Sequence, residues 1–199
     1  MPFWSTNFGE EKANLKDPKR QFRFTVSITG INSDNGGPLL WYAKSVTKPT
    51  FTVAEAEHKY LNHTFYYPGS VSWSECDIKM VDPAGDPDAA ATLAAIVQAS
   101  GYKPPTKASS EDLTSMSKAK AAGALGTIVI TQIDADGNPL ETWTLWNSFV
   151  KEIDFGGSLE YGTDTLNEIG LKIRYDWARI ETVAGSSAVA LQGNSFFNV

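Results

Sequence analysis

Only a few residues in this chain have side chains of the types that catalysis or metal binding requires. They include two histidines, His58 and His63, and a single cysteine, Cys76. The histidines are five residues apart in a segment of extended character, so we expect them to project to opposite faces and to make a poor metal pair. Cys76 has no activating histidine at a fixed spacing. It is better explained as a small buried hydrophobic residue than as a nucleophile.

Two acidic segments suggest a cation site, and each has a simpler explanation. Residues 134–138 (DADGN) resemble the start of a calcium loop, but the positions that need glycine and glutamate in such a loop hold proline and leucine. We therefore predict a hairpin turn there. Asp82, Asp86 and Asp88 could form an acidic cluster for a metal or for acid–base chemistry. Helix capping explains them better.

The sequence contains none of the common catalytic or phosphate-binding signatures. GxSxG, GxGxxG and GxxxxGK[ST] are all absent. We therefore predict a protein that is not an enzyme and that has no catalytic residues, no cofactor and no metal.

Composition limits the classes of partner. The 199 residues carry 23 acidic and 17 basic side chains, a net charge of −6, so we do not expect the protein to hold nucleic acid by phosphate neutralisation. The single cysteine and the lack of a signal-like start favour the cytoplasm. There is no apolar run of 18 residues, so we expect no stable membrane association.

The elements that would position these residues are mainly strands. Within residues 19–29, Phe22, Phe24, Val26 and Ile28 alternate with polar residues and predict a first strand, and a turn at 32–38 leads into a second over 39–47.

The central stretch, 48–83, predicts a two-stranded arm followed by a long strand over 71–81. Neither face of that strand is cleanly apolar, which favours a sheet with a partner on each side.

The second half predicts more strands. Residues 127–133 and 140–155 flank an Asp136-Gly137 turn. The clearest strand is 168–177, whose apolar face consists of Ile169, Leu171, Ile173, Tyr175 and Trp177.

One convincing helix is predicted between residues 82 and 102. Asp86 can cap it, Pro87 suits its first position, and Gly101 ends it. Its apolar stripe is Leu93, Ile96 and Val97. Residues 103–123 predict only one or two further helical turns.

This pattern divides the chain into an N-terminal arm (1–18), a β domain (19–177) and a C-terminal tail (178–199). The arm carries Phe3, Trp4 and Phe8. We expect the tail to be poorly ordered or to order only in an assembly.

Three blocks, taken in order, resemble the tail tube proteins of contractile-tailed bacteriophages. They are PKRQFRFTVSITG, KYLNHTFYYPGSVSWSECDIKMVD and LWNSFVKEIDFGGSLEYGTDTLNEIGLKIRYDW, and together they span most of residues 18–177. The resemblance implies a mainly β fold of two packed antiparallel sheets with one flanking α-helix. It further implies hexameric rings, joined into a continuous barrel around a lumen and stacked into a tube.

The same resemblance implies partners and a location. The partners are other copies of the chain, a tail sheath protein, baseplate and tail terminator proteins, and genomic DNA that passes through the lumen without specific binding. The location is the virion tail, assembled in the host cytoplasm. As inter-ring stacking residues we predict Glu55, Glu57 and Lys59. As residues of an acidic lumen we predict Glu55, Glu57, Glu75 and Asp77.

Three alternatives stay open at this stage. A type VI secretion-like tube protein and a tube-initiating baseplate protein would look much the same. A carbohydrate-binding β-sandwich would use Trp41, Trp143 and Trp146 as exposed stacking platforms.

Overall fold

The computed structural model describes residues 18–31, 43–83, 88–104, 114–162, 164–182 and 195–196. In these ranges the chain forms eleven strands and two α-helices. The strands are β1 (Phe24–Ile28), β2 (Ala43–Val46), β3 (Phe51–Tyr60), β4 (His63–Trp73), β5 (Cys76–Val81), β6 (Ile128–Ile133), β7 (Pro139–Trp146), β8 (Phe149–Asp154), β9 (Glu168–Arg174), β10 (Trp177–Thr182) and β11 (Ser195–Phe196). The helices are α1 (Ala89–Ala99) and α2 (Lys118–Leu125).

The strands form two larger antiparallel sheets and one separate hairpin. The five-stranded sheet has the order β1-β6-β7-β10-β11, and the four-stranded sheet has the order β2-β5-β9-β8. Among the strands of the described ranges, β3 and β4 pair only with each other. The predicted mainly β fold of packed antiparallel sheets is confirmed. The one or two helical turns predicted within residues 103–123 overlap α2, which begins at Lys118 and continues to Leu125.

The core lies between the two larger sheets and under the helices. Its fully buried large side chains are Ile78, Leu93, Leu125, Ile128, Ile130, Leu145, Ile169, Leu171 and Ile173. Burying one such side chain contributes about 1.5–3 kcal/mol before the entropy of ordering the chain is counted. The period-two pattern of β5, β6 and β9 supplies most of this set, because alternate residues point to one side.

The first helix begins two residues later than the sequence pattern suggested. Asp88 is the N-cap, and its side chain accepts a hydrogen bond from the backbone N–H of Ala91 at 3.0 Å. The predicted cap, Asp86, and Pro87 lie outside the described residues. Gly101, with a φ of 103°, follows the helix as predicted.

The second helix packs closely on the turn that follows β1. A Cβ on Gly30 would lie 2.2 Å from the carbonyl oxygen of Ala124, so only glycine allows this approach. Ser117 caps the helix, and Leu125 at its end is fully buried.

Two of the long strands predicted from the sequence are divided in the structure. The strand expected over 71–81 is interrupted at Ser74 and Glu75, so that its first part belongs to the β3–β4 hairpin. The strand that follows has one clean apolar face after all, formed by Cys76, Ile78 and Met80.

The last predicted strand, 168–177, is interrupted at Tyr175 and Asp176. Strand β10 then runs to Thr182 and pairs with β7, and its Ala178 is fully buried. Ordered β structure therefore continues past the predicted domain end at residue 177. The predicted arm up to residue 17, most of the tail and the segment 105–113 lie outside the described residues.

Candidate assembly surfaces

The residues first considered for chemistry are not assembled into a reaction centre. Among the described residues there is no group of three or more His, Cys, Asp or Glu side chains that could hold a metal ion. Cys76 is fully buried, and its Sγ donates to the carbonyl oxygen of Thr47 at 3.0 Å. Burial, helped by the charge of Asp77, raises the pKa of the Cys76 thiol to about 12. The prediction of a buried cysteine packed in the core is confirmed.

The expectation that His58 and His63 face opposite ways is wrong. A two-residue turn at Leu61 and Asn62 reverses the chain, so His63 pairs with Tyr60, which shares a face with His58. Both histidines are exposed. The ring of His63 lies edge-on to Phe65, with the centroids 4.7 Å apart.

The acidic segments have structural roles. The Asp134 carboxylate accepts hydrogen bonds from the backbone N–H groups of Asp136 and Asn138, which closes the predicted hairpin turn. Asp88 caps α1, and Asp82 accepts a hydrogen bond from the side chain of Asn167. Asp134 and Asp88 are therefore used locally, in a turn and a cap, whereas Asp82 connects the end of β5 to the residue before β9.

Two of the three tryptophans proposed as a sugar platform lie on opposite faces of β7. Trp143 packs against the core and its ring N–H donates to Glu141. Trp146 points the other way and stacks on Trp177, with the ring planes 11° apart. Trp41 lies outside the described residues. Trp143 and Trp146 cannot form the common stacking surface expected from the sequence.

The β3–β4 hairpin is the largest exposed element of the molecule that the structure describes. All ten residues of β3 and nine of the eleven in β4 are exposed. An isolated two-stranded hairpin is only marginally stable in water. The hairpin therefore needs a surface on which to pack.

The two faces of the hairpin differ in chemistry. Because cross-strand partners share a face, the register assigns residues to each side. The aromatic face contains Ala56, His58, Tyr60, His63, Phe65 and Tyr67. The charged face contains Glu55, Glu57, Lys59, Thr64, Tyr66 and Pro68. The predicted stacking residues Glu55, Glu57 and Lys59 thus lie together on the charged face, with Lys59 Nζ and Glu57 Oε2 4.0 Å apart.

A row of three aromatic rings joins the hairpin to the body. Phe51 and Trp73, paired at the open end of the hairpin, have ring centroids 5.1 Å apart. Trp73 in turn lies 6.0 Å from the ring of Tyr175, which is buried. The backbone N–H of Ser74 also donates to the carbonyl oxygen of Thr50 at 2.8 Å. We call these rings the hairpin root.

The solvent face of the four-stranded sheet carries a second distinctive surface, which we call the charge lattice. Charged residues on this face tend to stand beside residues of opposite sign on the neighbouring strands, as in the row Asp77–Lys172–Glu152. Five are acidic and five are basic: Glu75, Asp77, Glu152, Asp154 and Glu168, and Lys44, Lys79, Lys151, Lys172 and Arg174. Part of this face is concave, with a volume of about 480 Å³.

Ion pairs connect the lattice across strands. Lys172 lies in register with Asp77 on one neighbouring strand and with Glu152 on the other, and its Nζ is 2.8 Å from Glu152 Oε2. Lys151 Nζ is 2.5 Å from Glu75 Oε1, and Arg174 Nη1 is 3.9 Å from the same oxygen. The hydrogen bond from Lys151 lowers the pKa of Glu75, and the one to Glu152 raises the pKa of Lys172. Each of these two shifts favours the charged form, of Glu75 and of Lys172 respectively.

The four acids predicted for the lumen belong to two different surfaces. Glu55 and Glu57 lie on the hairpin, whereas Glu75 and Asp77 lie on the charge lattice. The lattice is balanced in charge, so a wall built from it would be neutral where the sequence suggested an acidic one. The basic partners were missed because they come from β8 and β9, distant in sequence. Only the pairing register reveals that Lys172 stands beside Asp77.

A third polar cluster lies at one end of the sandwich. The carboxylate of Glu141, only 8% exposed, accepts from Lys48 at 2.8 Å, from the Trp143 ring N–H at 2.5 Å, and from Lys19. Lys48 also donates to Gln132 at 2.7 Å. The cluster links the segment before β1, the segment before the hairpin and the five-stranded sheet.

No helix in the described part of the chain is long and apolar enough to cross a membrane.

Comparison with known proteins yields similarity in structure but not in sequence. No family model and no curated protein matches the chain. A chain in the cryo-EM structure of an extracellular contractile injection system, the PVC sheath/tube terminator in its extended state, superposes with a TM-score of 0.60 at 15% identity, covering 84% of this chain and 99% of the other.

Two further structures are similar to this chain. A chain in the six-fold symmetrised baseplate of the anti-feeding prophage gives a TM-score of 0.59 at 15% identity, covering 85% and 99% of the two chains. One in the PVC sheath–tube complex gives 0.54 at 16%, covering 83% and 93%. At such identities the comparison shows a shared fold. The expected tail-tube-like fold is therefore confirmed.

Proposed function

We propose that this protein is a structural, non-enzymatic subunit of the tube of a contractile tail or injection machine, and that it works by assembling with copies of itself. The observation that carries the proposal is the β3–β4 hairpin, which has an aromatic face and is almost entirely exposed in the part of the chain that the structure describes. A second copy is the simplest partner, because every copy presents the same hairpin. Contacts that repeat from copy to copy build rings or filaments.

The edges of the four-stranded sheet support lateral assembly. Strands β2 and β8 lie at its two edges. Unpaired edges favour aggregation unless they are covered, and pairing β2 of one copy with β8 of the next would cover both. Closure after six copies, as in the tail tube family, would give one continuous barrel. The hairpins would then connect one ring to the next.

In this arrangement the charge lattice would face the channel and the five-stranded sheet would face outward. The outer sheet aligns the uncharged side chains of Thr25, Thr131 and Thr142 in register, a surface suited to contact with a sheath protein. Baseplate and terminator proteins would cap the two ends. In a phage the tube would be part of the virion tail, assembled in the host cytoplasm, and would conduct DNA into the host cell.

Electron microscopy of the purified protein tests the proposal. We expect rings of uniform diameter with six-fold symmetry that stack into tubes. Rings that never stack would assign the protein to one end of a tube instead. A monodisperse monomer at high micromolar concentration would contradict the proposal.

A variant in which a short Gly-Ser linker replaces residues 52–72 separates the two kinds of contact. We expect it to keep rings, which depend on β2 and β8, and to lose tubes. Long tubes from this variant would show that the hairpin is not the stacking element.

A further inference from the structure

The charge lattice presents cationic and anionic side chains that are exposed to solvent but form ion pairs with one another. The side chains of Lys172 and Glu152 are 45% and 54% exposed, and those of Lys151 and Glu75 are 52% and 30% exposed. Exposed pairs of this kind contribute only about 0.2–1 kcal/mol each to stability. Their main physical effect is therefore on the electrostatic field above the sheet.

Without its acids, the same face would attract a nucleic acid backbone. Lys172 and Arg174 are two residues apart on β9, on the same side of the sheet, and Lys151 reaches the same region from β8. Three cations close together on one exposed face match the usual electrostatic footprint for phosphate, whose neutralisation releases counterions. The acidic side chains that pair with these cations neutralise the positive charge of this face.

We propose that Glu75, Asp77 and Glu152 act as internal counterions that keep the basic side chains of the lattice from binding a nucleic acid backbone. The face is thereby non-adhesive to DNA because it is locally neutral, with no need for a uniformly negative wall. This inference rests on the proposed function in one respect, namely that the lattice would face DNA passing through the tube. The surface property itself belongs to the single subunit.

The test compares two variants with the same change in formal charge. E75Q/D77N/E152Q removes the three lattice acids, and E55Q/E57Q/D136N removes three acids from the hairpin and a turn. Binding of a fluorescent double-stranded DNA oligonucleotide to unassembled protein is followed by anisotropy at 50 and 200 mM salt.

We expect the lattice variant to bind DNA at least ten-fold more tightly than wild type at 50 mM salt, and the control variant to remain like wild type. If three phosphates are neutralised, a four-fold rise in salt should weaken the new binding by about 40-fold. The single variant E152Q, which exposes Lys172 alone, should show a smaller gain of the same kind. The E152Q variant also provides the test if the triple variant does not fold.

Equal gains in the lattice and control variants would overturn the inference, since net charge alone would then explain binding. Equally tight binding by wild type, or no gain in either lattice variant, would overturn it too. DNA binding by the lattice variant of a protein that never forms rings would support this inference and contradict the proposed function. A protein that forms rings, but whose lattice variant binds DNA no more tightly than wild type, would support the proposed function and contradict this inference.

Discussion

At the scale of single residues, Leu171 illustrates how β9 holds the sandwich together. It is 1% exposed and pairs across the sheet with Ile78 on one side and Ile153 on the other. Truncation to alanine removes buried methyl groups and leaves a cavity among neighbours that cannot fully relax. We expect Leu171→Ala to cost about 2–5 kcal/mol of unfolding free energy in a denaturant titration.

Leu159→Ala is the matched control for this substitution, because Leu159 is 90% exposed. It should leave the unfolding midpoint unchanged. Equal effects of the two substitutions would show that the inner face of β9 is not part of the core.

Glu141 gives the fold a defined dependence on pH. Burial alone would raise the pKa of this carboxyl, but hydrogen bonds from Lys19, Lys48 and Trp143 outweigh burial and lower its pKa from 4.5 to about 2. Because the folded-state pKa is the lower one, ionised Glu141 stabilises the protein above pH 4.5. The stabilisation, up to about 3 kcal/mol, is lost as the pH falls toward 2.

Glu141→Gln tests this assignment. The variant should unfold at lower denaturant than wild type at pH 7, and the difference between the two proteins should shrink between pH 4.5 and pH 2. A constant difference across that window would mean that the carboxylate does not titrate as described.

At the scale of elements, the aromatic face of the hairpin should control association while leaving the core unaffected. Phe65 and Tyr67 are 45% and 55% exposed. Covering about half of each ring on assembly is worth about 2 kcal/mol per side chain, or about 30-fold in an association constant. We expect Phe65→Ser with Tyr67→Ser to abolish tubes in sedimentation and microscopy without changing the melting temperature.

The opposite face of the hairpin provides the comparison. Glu57→Gln with Lys59→Gln removes exposed charges whose pairing is weak. Tubes should persist in this variant. Loss of tubes from the charged-face variant alone would assign stacking to Glu57 and Lys59, as the sequence suggested.

The sequence predicts elements well where one physical rule dominates. Alternation identified the buried face of β9, and Asp136-Gly137 identified a tight turn, because both signals are local. It failed for His58 and His63, because the two-stranded arm was predicted without the position of its turn, and the turn at Leu61 places both histidines on one face. A positive φ at a leucine leaves no compositional signal.

The interruptions of long strands were also invisible in the sequence. Residues on both sides of Ser74 and Asp176 continue the alternating pattern, and only tertiary pairing shows that the chain changes sheets there. The ion pairs of the charge lattice depend on that same pairing. The acidic residues could therefore be identified from the sequence, but their basic partners could be identified only from the pairing of the strands.

At the scale of the whole molecule, the reactivity of the Cys76 thiol reports on unfolding of the protein. It is fully buried and its thiol pKa is raised to about 12, so both access and ionisation oppose reaction. We expect a thiol reagent at pH 8 to leave the native protein unmodified and to label one thiol in denaturant.

An engineered cysteine supplies the positive control. Ser158 is exposed, so Ser158→Cys should react at once with one equivalent while Cys76 stays protected. Rapid labelling of native wild type would contradict the burial of Cys76 and would indicate local opening of β5.

Because the hairpin is long, a small change of its angle at the hairpin root moves its tip by a large distance. With ten residues in β3 and a rise of about 3.3 Å per residue, the tip lies about 33 Å from Phe51. A tilt of about 5° at the root would move the tip by about 3 Å, a large part of the roughly 4.8 Å spacing between paired strands. The packing of Trp73 between Phe51 and Tyr175 therefore sets the direction of the hairpin. In the proposed tube it would also set the rotation of each copy relative to the next.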